Sequence, residues 1–150
     1  MQLTTKIAFG GYLCVALVVT AVGIRYLFAS QIMPYHLTAM GSTWEHLSPG
    51  AQVMTLNFMK SAGAGFVTTG IAICFLLFFP FRKGERWSTW AILAVSLNEF
   101  TLIILRIFNV RMNTPAHPPI APFIVLFCLA VLSFLLSLGM KPGKNMGNER

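Results

Sequence analysis

Four long runs of apolar residues divide the chain, with short stretches rich in charge, proline or glycine between them. They occupy residues 7–28, 51–79, 88–110 and 120–138. Each is close to the ~20 residues that an α-helix needs to cross a ~30 Å hydrocarbon core. Helix is the required element, because backbone polar groups in lipid must be satisfied within their own segment. Short connections make successive spans antiparallel neighbours. The pattern predicts an all-α fold, an integral membrane antiparallel four-helix bundle forming a single domain over residues 1–150. Residues 141–150, polar and rich in Gly and Asn, read as a flexible tail. Residues 7–28 read as a retained span, since a cleaved signal would have a shorter apolar region and no Arg25 or Leu27 before a cleavage point at Ala29.

The longest connection, residues 29–52, carries its own helix signals. Pro34 suits the first turn of a short helix bearing Tyr35, His36, Leu37 and Met40. Ser42 and Glu45 have capping-box spacing around Trp44, and Ser48–Pro49 reads as another helix start. Tyr35 and Trp44 are amphipathic rings of the kind that settle at headgroup level. Residues 34–47 are therefore expected to form one or two short interfacial helices that cap the bundle between spans one and two. Gly10, Gly11 and Gly23 in the first span, and Ser61, Gly63, Gly65 and Gly70 in the second, offer small surfaces for close helix packing. Asn57, Lys60, Ser61, Ala64 and Thr68 share one side of the second span. A basic turn follows at residues 80–86, with Trp87 and Trp90 at the start of span three. Thr114, Pro115, His117, Pro118 and Pro119 break the helix before span four.

Composition narrows the class. Hydrophobic residues make up 56% of the chain and charged residues 10%, where a soluble domain carries about 25% charge. Mean hydropathy is +0.72. The net charge of +7 comes from basic residues that flank the apolar runs, with no nucleic-acid motif beside them, so the expected partners are membrane lipids and not nucleic acid. Lys6, Arg82, Lys83, Arg86, Lys141, Lys144 and Arg150 lie on one side of the bilayer, and Arg25 and Arg111 on the other. That bias places both termini in the cytoplasm. Cys14, Cys74 and Cys128 fall in three different runs without CxxC or metal-type spacing, as expected of small buried hydrophobes.

Chemistry centres on the third span, where Asn98 and Glu99 are followed seven residues after Glu99 by Arg106. Seven residues is almost two turns, so Glu99 and Arg106 share a face roughly 10 Å apart along the axis. Charges at mid-bilayer cost roughly 2.5–3.5 kcal/mol on insertion scales and seek a partner or a wet cavity. Glu99, Arg106, Lys60, Arg25, Asn98 and Asn57 are the candidate ligand-binding or charge-network residues, with Arg106 or Lys60 expected as the counter-charge of Glu99. His36, Trp44, Glu45, His46 and His117 form the expected outer-face cap. No HxxxH or HExxH spacing supports a metal site, and no nucleophile has a visible base. No repeat, heptad run or P-loop stands in the chain. The residues point to a non-enzymatic binding or accessory module, with an outward-facing polar vestibule floored by Glu99. Its occupant would be a lipidic or small anionic molecule, or a membrane partner, with no dedicated cofactor beyond a quinone or lipid. The alternative is a proton- or ion-coupled transporter or redox-associated enzyme subunit using Glu99. A homo-oligomer or a larger membrane complex would supply any missing pore.

A run of residues carries a resemblance. Arg25-Tyr26-Leu27-Phe28 ends span one and Met33-Pro34-Tyr35-His36 follows; then come Trp44, Lys60 with Gly63 and Gly65, Pro80 with the basic turn and Trp87, and Arg111 with Thr114-Pro115. In this order, over residues 25–119, they resemble a group of small uncharacterised four-span bacterial membrane proteins, DoxX-like in size and layout. The resemblance implies the four-span fold and a bacterial inner membrane. DoxX-type proteins proper are linked to quinone-coupled sulfur oxidation, and no motif here carries that activity across.

Overall fold

A computed structural model describes residues 2–139; the tail at residues 141–150 lies outside them. Among the described residues the chain is all-helical. The helices are α1 (Leu3–Leu27), α2 (Pro34–Met40), α3 (Pro49–Leu76), α4 (Trp87–Asn113) and α5 (Ala121–Ser137), with a 3-10 turn at Trp44–His46 and a π turn at Leu77–Phe81. The π turn continues α3, so Pro49–Phe81 is one rod; this rod, α1 and α4 are long and apolar enough to cross a membrane. The 17-residue α5 is shorter but apolar, and at 1.5 Å per residue it reaches roughly 25 Å. These four helices form the bundle, and α2 with the 3-10 turn caps one end.

Local chemistry sets the boundaries. Ser48 caps α3, its hydroxyl accepting from Ala51 N at 3.3 Å, with Pro49 in the first turn. Gly41 ends α2 at φ 61°, a left-handed conformation that glycine adopts without strain. Ser42 does not build the expected capping box. Thr43 is the residue before the 3-10 turn, and its hydroxyl meets His46 Nδ1 at 3.2 Å, while Glu45 is exposed. The turn is too short for a Ser42–Glu45 exchange across a full helical turn. The second span runs past residue 79 because Pro80, lacking an N–H, widens the last turn instead of ending it. Glu85 N then reaches Pro80 O at 3.1 Å across five residues. At the far end of α4, Thr114 Oγ1 donates to Val110 O (2.8 Å) and accepts from Ala116 N (3.2 Å), which stops the helix after residue 113, beyond the expected 110.

α1 is the central element, packed along α3 on one side and α5 on the other, with α4 against α5 and only lightly against α3. The α1–α3 seam is closed by glycine. A Cβ on Gly63 would stand 2.8 Å from Gly23 O, and one on Gly23 would stand 2.6 Å from Gly63 O. The two backbones therefore touch, as small-residue membrane interfaces allow. Gly11 leaves room for the Ser133 side chain of α5, whereas Gly10 and Gly65 meet open space and contribute no packing. The core beside these seams holds Tyr12, Val15, Val19, Phe66, Ile73, Leu77, Ile92 and Phe100. With Gly63 and Gly70 turned inward, Asn57, Ser61, Ala64 and Thr68 face away from the bundle.

Candidate functional site

The last turn of α1 and the first turn of α2 are brought together by the short link between them. Ile32 and Met33 bury themselves on Met59 of α3, with Tyr26, Leu37, Trp44 and Leu56 packed around. This satellite core folds α2 back over the bundle, so that the Tyr35 hydroxyl meets the Tyr26 hydroxyl in a hydrogen bond. The Tyr26 ring lies edge-on to Phe66, centroids 5.8 Å apart, and the Tyr35 ring edge-on to His36 at 4.4 Å. Gln52 ties the cap to α3, its Nε2 donating to Trp44 O at 2.7 Å and to Leu47 O at 3.3 Å. Arg111 Nε donates to Pro118 O at 3.1 Å and so pins the proline-rich loop beside the cap.

Three cavities open around Tyr26. The largest, about 600 Å³, is bordered by Arg25, Tyr35, Thr38, His117 and Phe123. A second, about 280 Å³, runs between α3 and α4 and is bordered by Ala62, Phe66, Ile103, Arg106 and His36. A third, about 330 Å³, lies over Met59 and Thr55. Their walls are mostly apolar, with a few polar groups converging, as is usual for small-molecule sites. Among the described residues, neither Arg25 nor Arg106 makes a side-chain hydrogen bond or ion pair. Two guanidinium groups thus border adjoining apolar cavities with donors to spare, a setting suited to an anion. Burial pushes the Tyr35 hydroxyl well above its usual range, and the bond to Tyr26 adds to this, so the phenol stays neutral. Burial likewise lowers His36, which keeps its imidazole uncharged at neutral pH. The arrangement offers fixed positive charge from arginine, and neutral hydrogen-bonding groups between.

The residues expected to act together are divided. Glu99 makes no ion pair with Arg106 or Lys60 among the described residues; instead it accepts a hydrogen bond from Thr69 Oγ1 of α3 at 3.1 Å. Arg106 borders the α3–α4 cavity, whose lining does not include Glu99. Nor does Glu99 border any of the three cavities. Phe66 and Phe123, their centroids 6.4 Å apart, line the α3–α4 cavity one turn nearer the cap than Thr69. Lys60 is half-buried and borders none of the three cavities, while Asn57 and Asn98 face away from the bundle. Of the cap residues, His36 and His117 border these cavities, Trp44 joins the satellite core, Glu45 is exposed, and His46 is exposed beside a separate open groove on the cap with Pro34, Thr38 and Gly41. Glu45 is held below its usual range by its own backbone N–H and by Thr43. Among the described residues no three His, Cys, Asp or Glu side chains gather as metal ligands.

Sequence reasoning missed four contributors. Tyr26 stands in an apolar run and shows nothing until Pro34 turns Tyr35 onto it. Thr69 looks like one more small residue of a packing stripe. Gln52 and Arg111 sit at helix ends, where a solvated role is the ordinary expectation. A polar group within a turn of a span end, followed by a proline-broken loop, is the signal that could have marked Arg111. Comparison with family models, with curated proteins and with solved structures gives no match for this chain.

Proposed function

We propose that the protein is a non-enzymatic binding or accessory module of the membrane, whose capped end takes a lipidic or small anionic molecule. The observation that carries this reading is the pair of unpartnered guanidinium groups, Arg25 and Arg106, on the walls of apolar cavities that meet at Tyr26. The apolar walls accept a chain or ring, and the arginines supply charge-assisted hydrogen bonds to a phosphate or carboxylate. The seven-to-two bias of basic residues supports cytoplasmic termini, which turns the vestibule outward. The DoxX-like layout supports a bacterial inner membrane. Purification in a mild detergent followed by mass spectrometry of the extracted small molecules tests the proposal. An anionic amphiphile retained at about one per chain is expected; bulk lipid in membrane proportions would contradict it.

A second reading, a proton- or ion-coupled transporter or a redox-associated subunit, has its own support in the Thr69–Glu99 contact, a carboxylate within the α3–α4 interface. Glu99→Gln separates the two, because only the acid exchanges a proton. A binding module keeps its ligand in that variant, whereas a proton-coupled machine stays folded and stops.

A further inference from the structure

The side of α4 that faces away from the bundle carries a polar group with nothing to satisfy it. Asn98 is exposed, and among the described residues its side chain makes no hydrogen bond. It lies eleven residues into a helix that starts at Trp87, roughly 16 Å along the axis and so near the middle of the hydrocarbon core. Water does not reach that depth, and an amide brings two donors and an acceptor that lipid tails cannot meet. A hydroxyl can turn back onto its own helix, as Thr68 does in donating to Ala64 O at 2.9 Å; Asn98 shows no such bond.

The residues around Asn98 form a seam. Ala94, Asn98, Thr101, Leu105, Phe108 and Met112 are all exposed and alternate at steps of four and three. That is the 3.5-residue spacing by which two helices wrap around each other at a shallow left-handed angle. Ala94 and Thr101, the small residues on either side of Asn98, let the two backbones come close enough for amides to meet. α4 also has the most free surface of the three long spans: 17% of its apolar window is buried within the chain, against 33% for α1 and 28% for α3.

We infer that α4 pairs with α4 of a second copy of this chain, with Asn98 hydrogen-bonded to its counterpart. Two copies inserted the same way are related by a twofold axis along the membrane normal, so each seam residue meets its own equivalent. An amide suits such an axis because it is donor and acceptor at once, and a single Asn in an otherwise apolar or small seam fixes register and pairing. This side of α4 turns away from Arg106 and the α3–α4 cavity, so the pairing leaves the proposed ligand site open and stands independently of it.

The test uses the full chain with Cys14, Cys74 and Cys128 replaced by alanine, reconstituted in lipid bilayers and counted by single-molecule photobleaching over a range of dilutions. A dimer is expected. Asn98→Leu should weaken it by about fivefold to tenfold, the range for one interhelical side-chain hydrogen bond, while Asn98→Gln retains most of it. Circular dichroism should show both variants folded, since Asn98 is exposed and makes no hydrogen bond within the described residues. Ala94→Cys should form a disulfide with its counterpart, and Ser61→Cys on the free side of α3 should not. A monomer at every dilution, a dimer indifferent to Asn98→Leu, or cross-linking through Ser61→Cys in place of Ala94→Cys would each overturn the assignment.

Discussion

The two faces that α3 presents to its neighbours differ sharply. Against α1 it is closed to backbone contact by Gly23 and Gly63, and nothing larger than hydrogen fits between. Against α4 it is held lightly, by one hydroxyl–carboxylate bond from Thr69 to Glu99, and the same interface widens toward the cap into a cavity bordered by Arg106. Glycine lets α1 and α3 approach to backbone contact, while α3 and α4 stand far enough apart near the cap to leave a cavity between them.

Breaking the tight seam should have the largest effect. Gly63→Ala places a methyl group against Gly23 O and the Tyr26 Cβ, and overpacking of this kind costs about 1–3 kcal/mol. Thermal or denaturant unfolding in detergent should show that loss, and Gly65→Ala, which meets open space, should show almost none. Equal tolerance at both positions would remove the basis of the contrast. The loose seam should respond next. Thr69→Val leaves the Glu99 carboxylate without its donor, at a cost of about 1–3 kcal/mol. Glu99→Gln keeps an acceptor oxygen toward Thr69 and should lose under about 1 kcal/mol by the same measurement.

The cap should give the smallest response, through pH. Burial lowers the folded pKa of His36 beneath its unfolded value of about 6.5. Between those two values the unfolded chain binds more protons, so stability rises with pH there. The contribution is fully present above about pH 6.5 and is lost as pH falls toward the folded value. Hydrogen exchange over residues 34–47 should therefore quicken modestly as pH is lowered from about 7.5 to about 5, once corrected for the intrinsic exchange rate. His36→Gln should remove that dependence; a cap equally protected at both values would show that His36 carries no such coupling.

Much of the fold was legible in the sequence, because length and hydropathy decide what crosses a bilayer and because Ser48–Pro49 carries its own start signal. Finer features were not, since they depend on which side of each helix turns inward. Gly10 and Gly65 look no different from Gly11 and Gly63 until α1 is set against α3 and α5. The face shared by Glu99 and Arg106 is real on a helical wheel, yet the wheel does not say that Arg106 borders a cavity while Thr69 reaches the carboxylate from another helix. The α4 seam does not read as a heptad run because Ala94, Asn98 and Thr101 are small or polar, and only exposure reveals that they form one stripe. Tyr26 and Tyr35 meet through a satellite core in which Ile32 and Met33, just after α1, pack on Met59, inside α3.

Anion binding at the capped end, as proposed, rests on Arg25 and Arg106. Arg25→Gln with Arg106→Gln, reconstituted beside the unaltered chain and a Lys60→Gln control, allows a direct measurement. Retention of a phosphate-bearing amphiphile against its zwitterionic counterpart is read by native mass spectrometry at rising salt. A clear preference for the anionic form is expected in the unaltered chain and in Lys60→Gln. Loss of about 1.5–3 kcal/mol for each charge-assisted hydrogen bond removed should abolish it in the double variant. Undiminished preference in the double variant, with the fold intact, would contradict it.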